Sequence, residues 1–153
     1  MAHSFSQNYQ HIVFAVKYRN AVLNPKHNDE LQKYITGLVK NRKSYLIAIN
    51  NVPDHLHLFV DLHRTYSIAK FLQEIKALSS KFINEKQWYP HRFEWQTGYG
   101  SFSVSYSARK NVINYIKNQQ KHHKIKSFAD EYTEILKQFD IEINDKTNFE
   151  TLI

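Results

Sequence analysis

Two histidines separated by one residue are the first feature of this sequence that could do chemistry. His55 and His57 flank Leu56 in an apolar run, residues 55–62, that is typical of a β-strand. Side chains two positions apart on a strand point to the same face, so both imidazoles can reach one divalent ion. Two nitrogen ligands leave coordination positions open for a third ligand and for substrate oxygens. The pair alone does not decide between a metal site and a polar strand face.

A tyrosine on a basic helix is the second such feature. Tyr115 and Gln119 are four residues apart and therefore share one face of a helix predicted from Ala108 to about His123. A tyrosine hydroxyl can attack a phosphodiester and form a covalent phosphotyrosine, but its ordinary pKa of about 10 means that it needs a metal or a base. The chain has 10 tyrosines, so a packing or surface role is the commoner one for any tyrosine chosen on its own.

The elements that must position these residues alternate along the chain. Apolar periodicity predicts strands at 9–18, 45–49, 55–62, 93–96 and 101–105, and helices at 29–42, 68–83, 108–123 and 129–139. Ser67 and Ser107 are predicted to cap the second and third helices. A β-α-β-β-α-β order is the ferredoxin-like pattern. We therefore expect an α+β, ferredoxin-like (RRM-like) antiparallel sheet with helices packed on one face, an extra strand and extra C-terminal helices.

Composition limits the class of protein. With 153 residues, 42% of them hydrophobic, the chain can build one core, and we expect a domain over residues 1–140 followed by a polar tail over 141–153. The absence of cysteine excludes a disulfide framework, a thiolate zinc site and a cysteine nucleophile. No apolar run approaches about 18 residues, which predicts no membrane span. The first residues lack the apolar segment of a signal peptide, so we expect a cytoplasmic protein.

Charge is distributed unevenly. The net charge is +7 with neutral histidines. Residues 1–127 hold 19 basic and 7 acidic side chains, a balance of +12, whereas residues 128–153 hold 2 basic and 7 acidic ones, a balance of −5. A basic body attracts polyanions, of which nucleic acid is the commonest. The acidic last helix either shields the basic surface or packs at its edge, and the sequence does not decide between these.

Four segments, taken together, resemble the single-tyrosine HUH transposases of small bacterial insertion sequences, the TnpA type, and their relatives, the REP-associated tyrosine transposases. The segments are HIVFAVKYR at 11–19, VPDHLHLF at 52–59, WQTGYGSFSVS at 95–105 and YIKNQQKHH at 115–123. The second is similar to the family's HUH motif and the fourth to its catalytic helix. The resemblance extends from about His11 to Glu131, and the order and spacing of all four segments make it specific.

The resemblance implies a role for each matching residue. Tyr115 would be the nucleophile that breaks a phosphodiester of single-stranded DNA, holds the 5′ phosphate covalently and releases a 3′ hydroxyl. His55, His57 and Gln119 would bind Mg²⁺ or Mn²⁺, which polarises the scissile phosphate. The resemblance also implies a homodimer whose active sites combine the histidine pair of one subunit with the tyrosine helix of the other. Such a dimer recognises a DNA hairpin near the ends of an element and acts on DNA of the nucleoid.

Six basic residues are candidates for DNA contacts, because lysine and arginine hold phosphates by charge and release counterions. They are Lys17 and Arg19 after the first strand, and Arg109, Lys110, Lys117 and Lys121 on the tyrosine helix. Some family members have a glycine hinge before this helix. Residues 105–110 contain no glycine, which puts an exchange of the helix between subunits in doubt. His122 and His123 are expected to form a solvated helix end.

Three functions remain open at this point. The first is a transposase of insertion-sequence ends, and the second is a relative that cleaves chromosomal palindromic repeats with the same residues. The third is a non-catalytic single-stranded nucleic-acid-binding module, whose function Tyr115→Phe would leave intact. Tyr106 is the nearest rival nucleophile, but no glutamine follows it four residues later. Trp95, Tyr99 and Phe102 are expected in the core or at a dimer face rather than stacked on bases.

Overall fold

The structure, a computed structural model, describes residues 3–19, 22–121, 127–139 and 141. Its strands and main helices, in chain order, are β1 (Tyr9–Ala15), α1 (Asn28–Asn41), β2 (Tyr45–Val52), β3 (His55–Asp61), α2 (Ile68–Lys86), β4 (Gly100–Ser103), α3 (Arg109–Lys117) and α4 (Phe128–Gln138). Short 3-10 turns lie at Lys17–Arg19, Pro25–His27 and Tyr106–Ala108. None of the helices within the described ranges combines the length and the apolar character needed to cross a bilayer.

The four strands form one antiparallel sheet in the order β2-β3-β1-β4. The strand β3 therefore lies inside the sheet, where His57 is opposite Val13 of β1 and Asn50 of β2. The α+β antiparallel sheet predicted from the sequence is confirmed. The strand order, together with the β-α-β-β-α-β order along the chain, is compatible with the ferredoxin-like arrangement.

Different helices cover the two faces of the sheet. On one face, α1 and α2 enclose the main hydrophobic core with Leu56, Leu58 and Val60 of β3. On the opposite face, α3 packs against Phe59, and α4 packs against Val13. The predicted alternation along β3 is thus confirmed. As predicted, α1 and α2 pack together on one face of the sheet. The C-terminal helices α3 and α4 pack on the opposite face.

An apolar stripe at helical spacing holds α4 on the sheet. The buried apolar side chains of this stripe are Phe128, Tyr132, Ile135 and Leu136. The helix begins after Ser127, whose side chain accepts a hydrogen bond from the backbone N–H of Asp130. Gly100 permits the close approach of α4 to β4, because a Cβ at that position would lie 2.8 Å from the side chains of Phe102 and Tyr132.

The strand predicted at 93–96 is wrong. The segment forms a single bridge between Val16 and Trp95 instead of a paired strand. The side-chain amide of Asn84 binds both the backbone N–H and the C=O of Phe93, and the indole N–H of Trp95 donates to Ser79. The bridge consists of two backbone bonds, from the N–H of Lys17 to the C=O of Glu94 and from the N–H of Gln96 to the C=O of Ala15, and the bonds of Phe93 to α2 keep the pairing from extending further. The following strand is confirmed, although it begins and ends earlier than the predicted 101–105.

The tyrosine helix begins within one residue of the predicted Ala108, but its predicted cap and its continuity are wrong. Ser107 does not cap it, because a 3-10 turn with Ser105 at its N-cap precedes α3, and no side chain caps α3 itself. The helix ends at Lys117, Asn118 interrupts it, and the chain is helical again over residues 119–121. His122 and His123 lie outside the described residues.

Candidate functional site

His55 and His57 lie side by side on the face of β3 that α3 and α4 cover. Both residues are completely buried, since β3 is inside the sheet and helices lie above it. Their ring centroids are 5.0 Å apart. The side chains therefore share a face, as the alternation of the strand predicts, and they are held by a strand that is hydrogen-bonded on both edges.

Glu131 of α4 completes a cluster with the two histidines. Its Oε1 lies 2.9 Å from Nε2 of His57, and its Oε2 lies 3.7 Å from Nε2 of His55. The residue is only 2% exposed, because it lies on the same helix stripe as the apolar side chains that dock α4. Sequence analysis missed this residue.

Tyr115 and Gln119 reach the same cluster from the other C-terminal helical segment. Tyr115 lies in the last turn of α3, and its ring centroid is 5.9 Å from that of His57. Gln119 follows the break at Asn118, is completely buried, and affects the pKa values of both His57 and Tyr115 through its side chain. The structure therefore brings together all four residues to which the sequence analysis assigned catalytic or metal-binding roles.

A second layer of hydrogen bonds holds the two histidines from behind. Nδ1 of His55 lies 2.7 Å from Oδ1 of Asp54, which lies in the turn between β2 and β3. Nδ1 of His57 lies 2.8 Å from Nε2 of His11 on β1, and the ring centroids are 5.1 Å apart, so the two rings meet edge to edge through this contact. As a result, it is the Nε2 atoms of His55 and His57 that face Glu131. Neither Asp54 nor His11 was assigned a role from the sequence.

Burial and charge shift the pKa values of the cluster in opposite directions. Burial opposes ionisation of Glu131, but the close contacts of its carboxylate with His55 and His57 outweigh this effect and hold its pKa far below the usual range. Burial raises the pKa of Tyr115, and the charge of Glu131 raises it further. Burial, with the neighbouring His57, lowers the pKa of His11 to about 3. The phenol of Tyr115 therefore keeps its proton unless positive charge is placed beside it.

The donor set fits a divalent metal ion. One ligand atom from each of His55, His57 and Glu131 can be chosen so that all lie within 4.8 Å of one another. The amide of Gln119 and the carboxylate of Glu131 are buried and form no hydrogen bond of regular geometry within the described residues. Coordination would satisfy the carbonyl oxygen of Gln119 and the carboxylate oxygens of Glu131, which are costly to bury otherwise. Two imidazoles with oxygen ligands suit several divalent ions, including Mn²⁺.

The basic residues predicted to contact DNA occupy different environments at the surface. Lys17 follows β1 and forms an ion pair with Glu94 at 3.0 Å. The guanidinium of Arg109 lies over the ring of Tyr106, 3.6 Å from its centroid. Three further residues are exposed: Lys110, Lys117 and Lys121. The side chain of Arg19 lies outside the part of the chain that the structure describes.

Two of the clefts that the described residues form are large, and the smaller of these two belongs to the site. It measures about 600 Å³ and its wall includes His11, Tyr115, Glu131 and Asn111. The larger cleft, about 1030 Å³, lies between α2 and residues 87–99 and contains none of the cluster. A ligand that reaches Tyr115 therefore has space beside it, between α3 and α4.

Other aromatic residues hold structural positions. Trp95 and Phe102 are buried in the two cores on either side of the sheet, whereas Tyr99 is 40% exposed. Tyr106, the rival nucleophile, is 62% exposed and its ring packs against Tyr9 and beneath Arg109. These contacts do not connect Tyr106 with the histidine pair.

Sequence comparison finds similarity over most of the chain. A family model described as "Transposase IS200 like" matches residues 4–119. The ISDra2 transposase TnpA of Deinococcus radiodurans is 26% identical over 116 residues, which cover 71% of this chain and 81% of that protein. The transposase for insertion sequence element IS200 of Salmonella typhimurium is 25% identical over 130 residues, which cover 82% of this chain and 85% of that protein.

Two solved structures share the fold. A transposase structure from Deinococcus radiodurans has a TM-score of 0.61 and 24% sequence identity, and the match covers 78% of this chain and 96% of that one. A REP-associated tyrosine transposase bound to a REP hairpin has a TM-score of 0.62 and 15% identity, and the match covers 100% of this chain and 95% of that one. At these identities, the likeness concerns the fold alone.

Proposed function

The chain belongs to the IS200-like transposases and is a DNA-cleaving, strand-transferring enzyme, and we propose that Tyr115 is its nucleophile. We propose further that His55, His57, Gln119 and Glu131 hold its divalent metal. The observation that carries both proposals is the convergence of these five side chains on one buried point of the sheet face. Glu131 is an addition to the ligand set implied by the sequence.

In the proposed reaction, the phenolic oxygen of Tyr115 attacks a phosphorus atom of single-stranded DNA. The bond from that phosphorus to the 3′ oxygen breaks, a 5′-phosphotyrosine forms, and the leaving oxygen takes up a proton as a 3′ hydroxyl. Attack by another 3′ hydroxyl reverses the step, rejoins the strands and returns the proton to Tyr115. A bound Mg²⁺ or Mn²⁺ supplies positive charge that polarises the scissile phosphate.

The surroundings of Tyr115 explain why its reactivity should depend on metal. Burial and Glu131 raise the pKa of the phenol, while the histidines hold the pKa of Glu131 so low that it is a poor acceptor for the phenolic proton. Without added positive charge, Tyr115 is therefore a weak nucleophile. The half-buried position of the ring also limits its contact with water, which strengthens charge interactions at the site.

We propose single-stranded DNA with a hairpin near an element end as the substrate, and chromosomal palindromic repeats as the alternative. The IS200 relatives support the first substrate. The structural neighbour that is bound to a REP hairpin supports the second. Both are nucleoid DNA, which would place the enzyme in the cytoplasm. Element ends flanking the gene would favour the first substrate, and many scattered repeats without such ends would favour the second.

We propose that the exposed basic residues of the tyrosine helix bind DNA phosphates, together with Lys17 and Arg19. Lys117→Ala should reduce the salt dependence of single-stranded DNA binding by about 0.7 in the log–log slope, the value for one lost phosphate contact. Lys40→Ala is the control, because Lys40 is exposed on α1, on the other side of the sheet. Fluorescence anisotropy at several salt concentrations measures both slopes, and equal slopes would contradict the assignment.

We propose that a single domain over residues 1–140 forms a homodimer in which each chain assembles its own site. The family resemblance supports the dimer. The proximity of Tyr115 to His57 and His55 within one chain supports assembly of the site in that chain.

Covalent capture of DNA tests the proposed chemistry. The purified protein is mixed with labelled single-stranded DNA from the flanks of its gene, with Mn²⁺ or with EDTA, and analysed on a denaturing gel. We expect a denaturation-resistant band that requires Mn²⁺, disappears in Tyr115→Phe and remains in the control Tyr106→Phe. A band that persists in Tyr115→Phe would show that the nucleophile is wrongly assigned. Tight DNA binding by the wild-type protein without any such band would refute the reaction.

A further inference from the structure

Each histidine of the metal site is held by a side chain outside the ligand set. Nδ1 of His55 contacts Oδ1 of Asp54 at 2.7 Å, and Nδ1 of His57 contacts Nε2 of His11 at 2.8 Å. Building on the proposed metal site, we propose that Asp54 and His11 are positioning residues. They fix the tautomer and the ring orientation of the two histidines so that both Nε2 lone pairs are presented to the metal.

Asp54 fixes His55 through a one-directional hydrogen bond. An ionised carboxylate can only accept, so the bond at 2.7 Å requires the proton of His55 to be on Nδ1. Nε2 then carries the lone pair that a metal needs. Asp54 is itself fixed in place, because its backbone C=O accepts a hydrogen bond from the N–H of Val16 at 2.9 Å. The turn between β2 and β3 thus sets the orientation of the first ligand.

His11 fixes His57 from the neighbouring strand. It lies on β1 opposite Phe59, and its ring plane is inclined by only 26° to that of His57, so the two rings meet edge to edge through the hydrogen bond. His57 can coordinate through Nε2 only when its own proton is on Nδ1, and Nε2 of His11 lies where it can accept that proton's hydrogen bond. His11 is 7% exposed and lines the cleft beside Tyr115.

His11 also packs against the nucleophile. Its ring meets that of Tyr115 edge to face, with centroids 6.0 Å apart. A substitution at position 11 could therefore act through packing as well as through the hydrogen bond to His57. His11→Phe separates these effects, because it keeps an aromatic ring against Tyr115 and removes the acceptor. His11→Gln restores an acceptor at a similar distance from the backbone.

Metal titration tests this inference without relying on DNA cleavage. Mn²⁺ binding to the metal-free full-length protein is measured by calorimetry, and the visible absorption of the Co²⁺ form reports on ligand geometry. We expect Asp54→Ala and His11→Phe each to weaken Mn²⁺ binding on the order of 10- to 100-fold and to change the Co²⁺ spectrum. Asp54→Asn and His11→Gln, which keep an acceptor, should bind closer to the wild-type affinity.

The outcomes separate this inference from the metal site on which it rests. Wild-type Mn²⁺ binding that is lost in His55→Ala supports the metal site itself. If Asp54→Ala and His11→Phe then bind Mn²⁺ like the wild type, with the same Co²⁺ spectrum, the positioning role is refuted. It is also refuted if the variants that keep an acceptor lose as much affinity as those that lack one. Circular dichroism in EDTA checks that each variant folds. If Asp54→Ala or His11→Phe does not fold, the Mn²⁺ affinity of Asp54→Asn or His11→Gln, respectively, decides.

Discussion

Glu131→Gln would remove the negative charge that α4 brings to the histidine pair while keeping the size of the side chain and one carbonyl oxygen. The carboxylate is 2% exposed, so a metal bound beside it would form a buried ion pair. Removing one partner of such a pair costs about 3 to 5 kcal/mol, because the other charge is left uncompensated. At about 1.4 kcal/mol per tenfold change in a binding constant, metal affinity should fall by roughly two to three and a half orders of magnitude.

Thermal unfolding with and without Mn²⁺ measures this effect. At a metal concentration of about 100 times the wild-type Kd, binding stabilises the native state by about 2.7 kcal/mol. In a domain of this size, 1 kcal/mol shifts the Tm by about 2 to 4 °C, so the wild-type protein should gain roughly 5 to 11 °C. A variant whose Kd is at least a hundredfold higher gains no more than about 0.4 kcal/mol, which is about 1 to 2 °C.

Glu134→Gln is the matched control for this measurement. Glu134 lies on the same helix, three residues further along, and is exposed on the wall of the cleft beside Tyr115, so its substitution makes the same charge change outside the ligand set. We expect it to keep the wild-type response to Mn²⁺. A wild-type shift in Glu131→Gln would refute its role as a ligand and return the ligand set to His55, His57 and Gln119. Equal losses in both variants would trace the effect to the charge of the helix instead.

Three further outcomes are expected. Mn²⁺ affinity should fall as the pH is lowered through neutrality, because protons then compete with the metal for His55. Burial lowers the pKa of His55, but the neighbouring carboxylates outweigh this effect and raise that pKa above 6.5. Titrations at about pH 8, 7 and 6 that give one affinity would contradict this. A mixture of Tyr115→Phe and His57→Ala proteins should not regain covalent DNA capture, since one chain holds both side chains with ring centroids 5.9 Å apart; regained capture would mean that two chains complete each site. Gly100→Ala should destabilise the protein by about 1 to 3 kcal/mol in urea denaturation, because the new Cβ would lie 2.8 Å from an aromatic side chain of α4. An unchanged midpoint would show that α4 does not pack closely there.

The histidine pair could be predicted from the sequence because its geometry is local. Alternation along a strand puts His55 and His57 on one face, and it requires no knowledge of what covers that face. The spacing of Tyr115 and Gln119 was interpreted as one unbroken helix, and that detail was wrong. Both side chains nevertheless reach the cluster, because the break at Asn118 leaves Gln119 buried next to the same strand.

Glu131 could not be predicted because its place depends on tertiary packing. It lies more than seventy residues after His57, and the contact exists only because α4 docks on the face that carries the histidines. A signal was nevertheless present in the sequence. Glu131 falls in the apolar stripe of the last helix, at the spacing that defines its buried side, and an acidic residue is rarely buried there without a partner.

Local bonding to α2 explains the failed strand prediction at 93–96. The apolar residues Phe93 and Trp95 alternate as they would in a strand, and both are buried. The pairing with the end of β1 is nevertheless limited to one bridge, because the backbone of Phe93 binds the side chain of Asn84 of α2 instead. Alternation predicts which side chains are buried, but it does not predict which element satisfies the backbone.

The buried carboxylate of Glu131 makes the docking of α4 depend on the state of the metal site. Each apolar side chain of the stripe favours docking by about 1.5 to 3 kcal/mol when fully buried, whereas burial of a carboxylate opposes it by several kcal/mol wherever its charge is not compensated. A cation beside the histidines removes that penalty. By linkage, a metal that binds more tightly when α4 is docked must favour the docked helix to the same extent. The family match ends at residue 119, so α4 lies outside the matched segment. Through Glu131, the metal site therefore also depends on a helix beyond that segment.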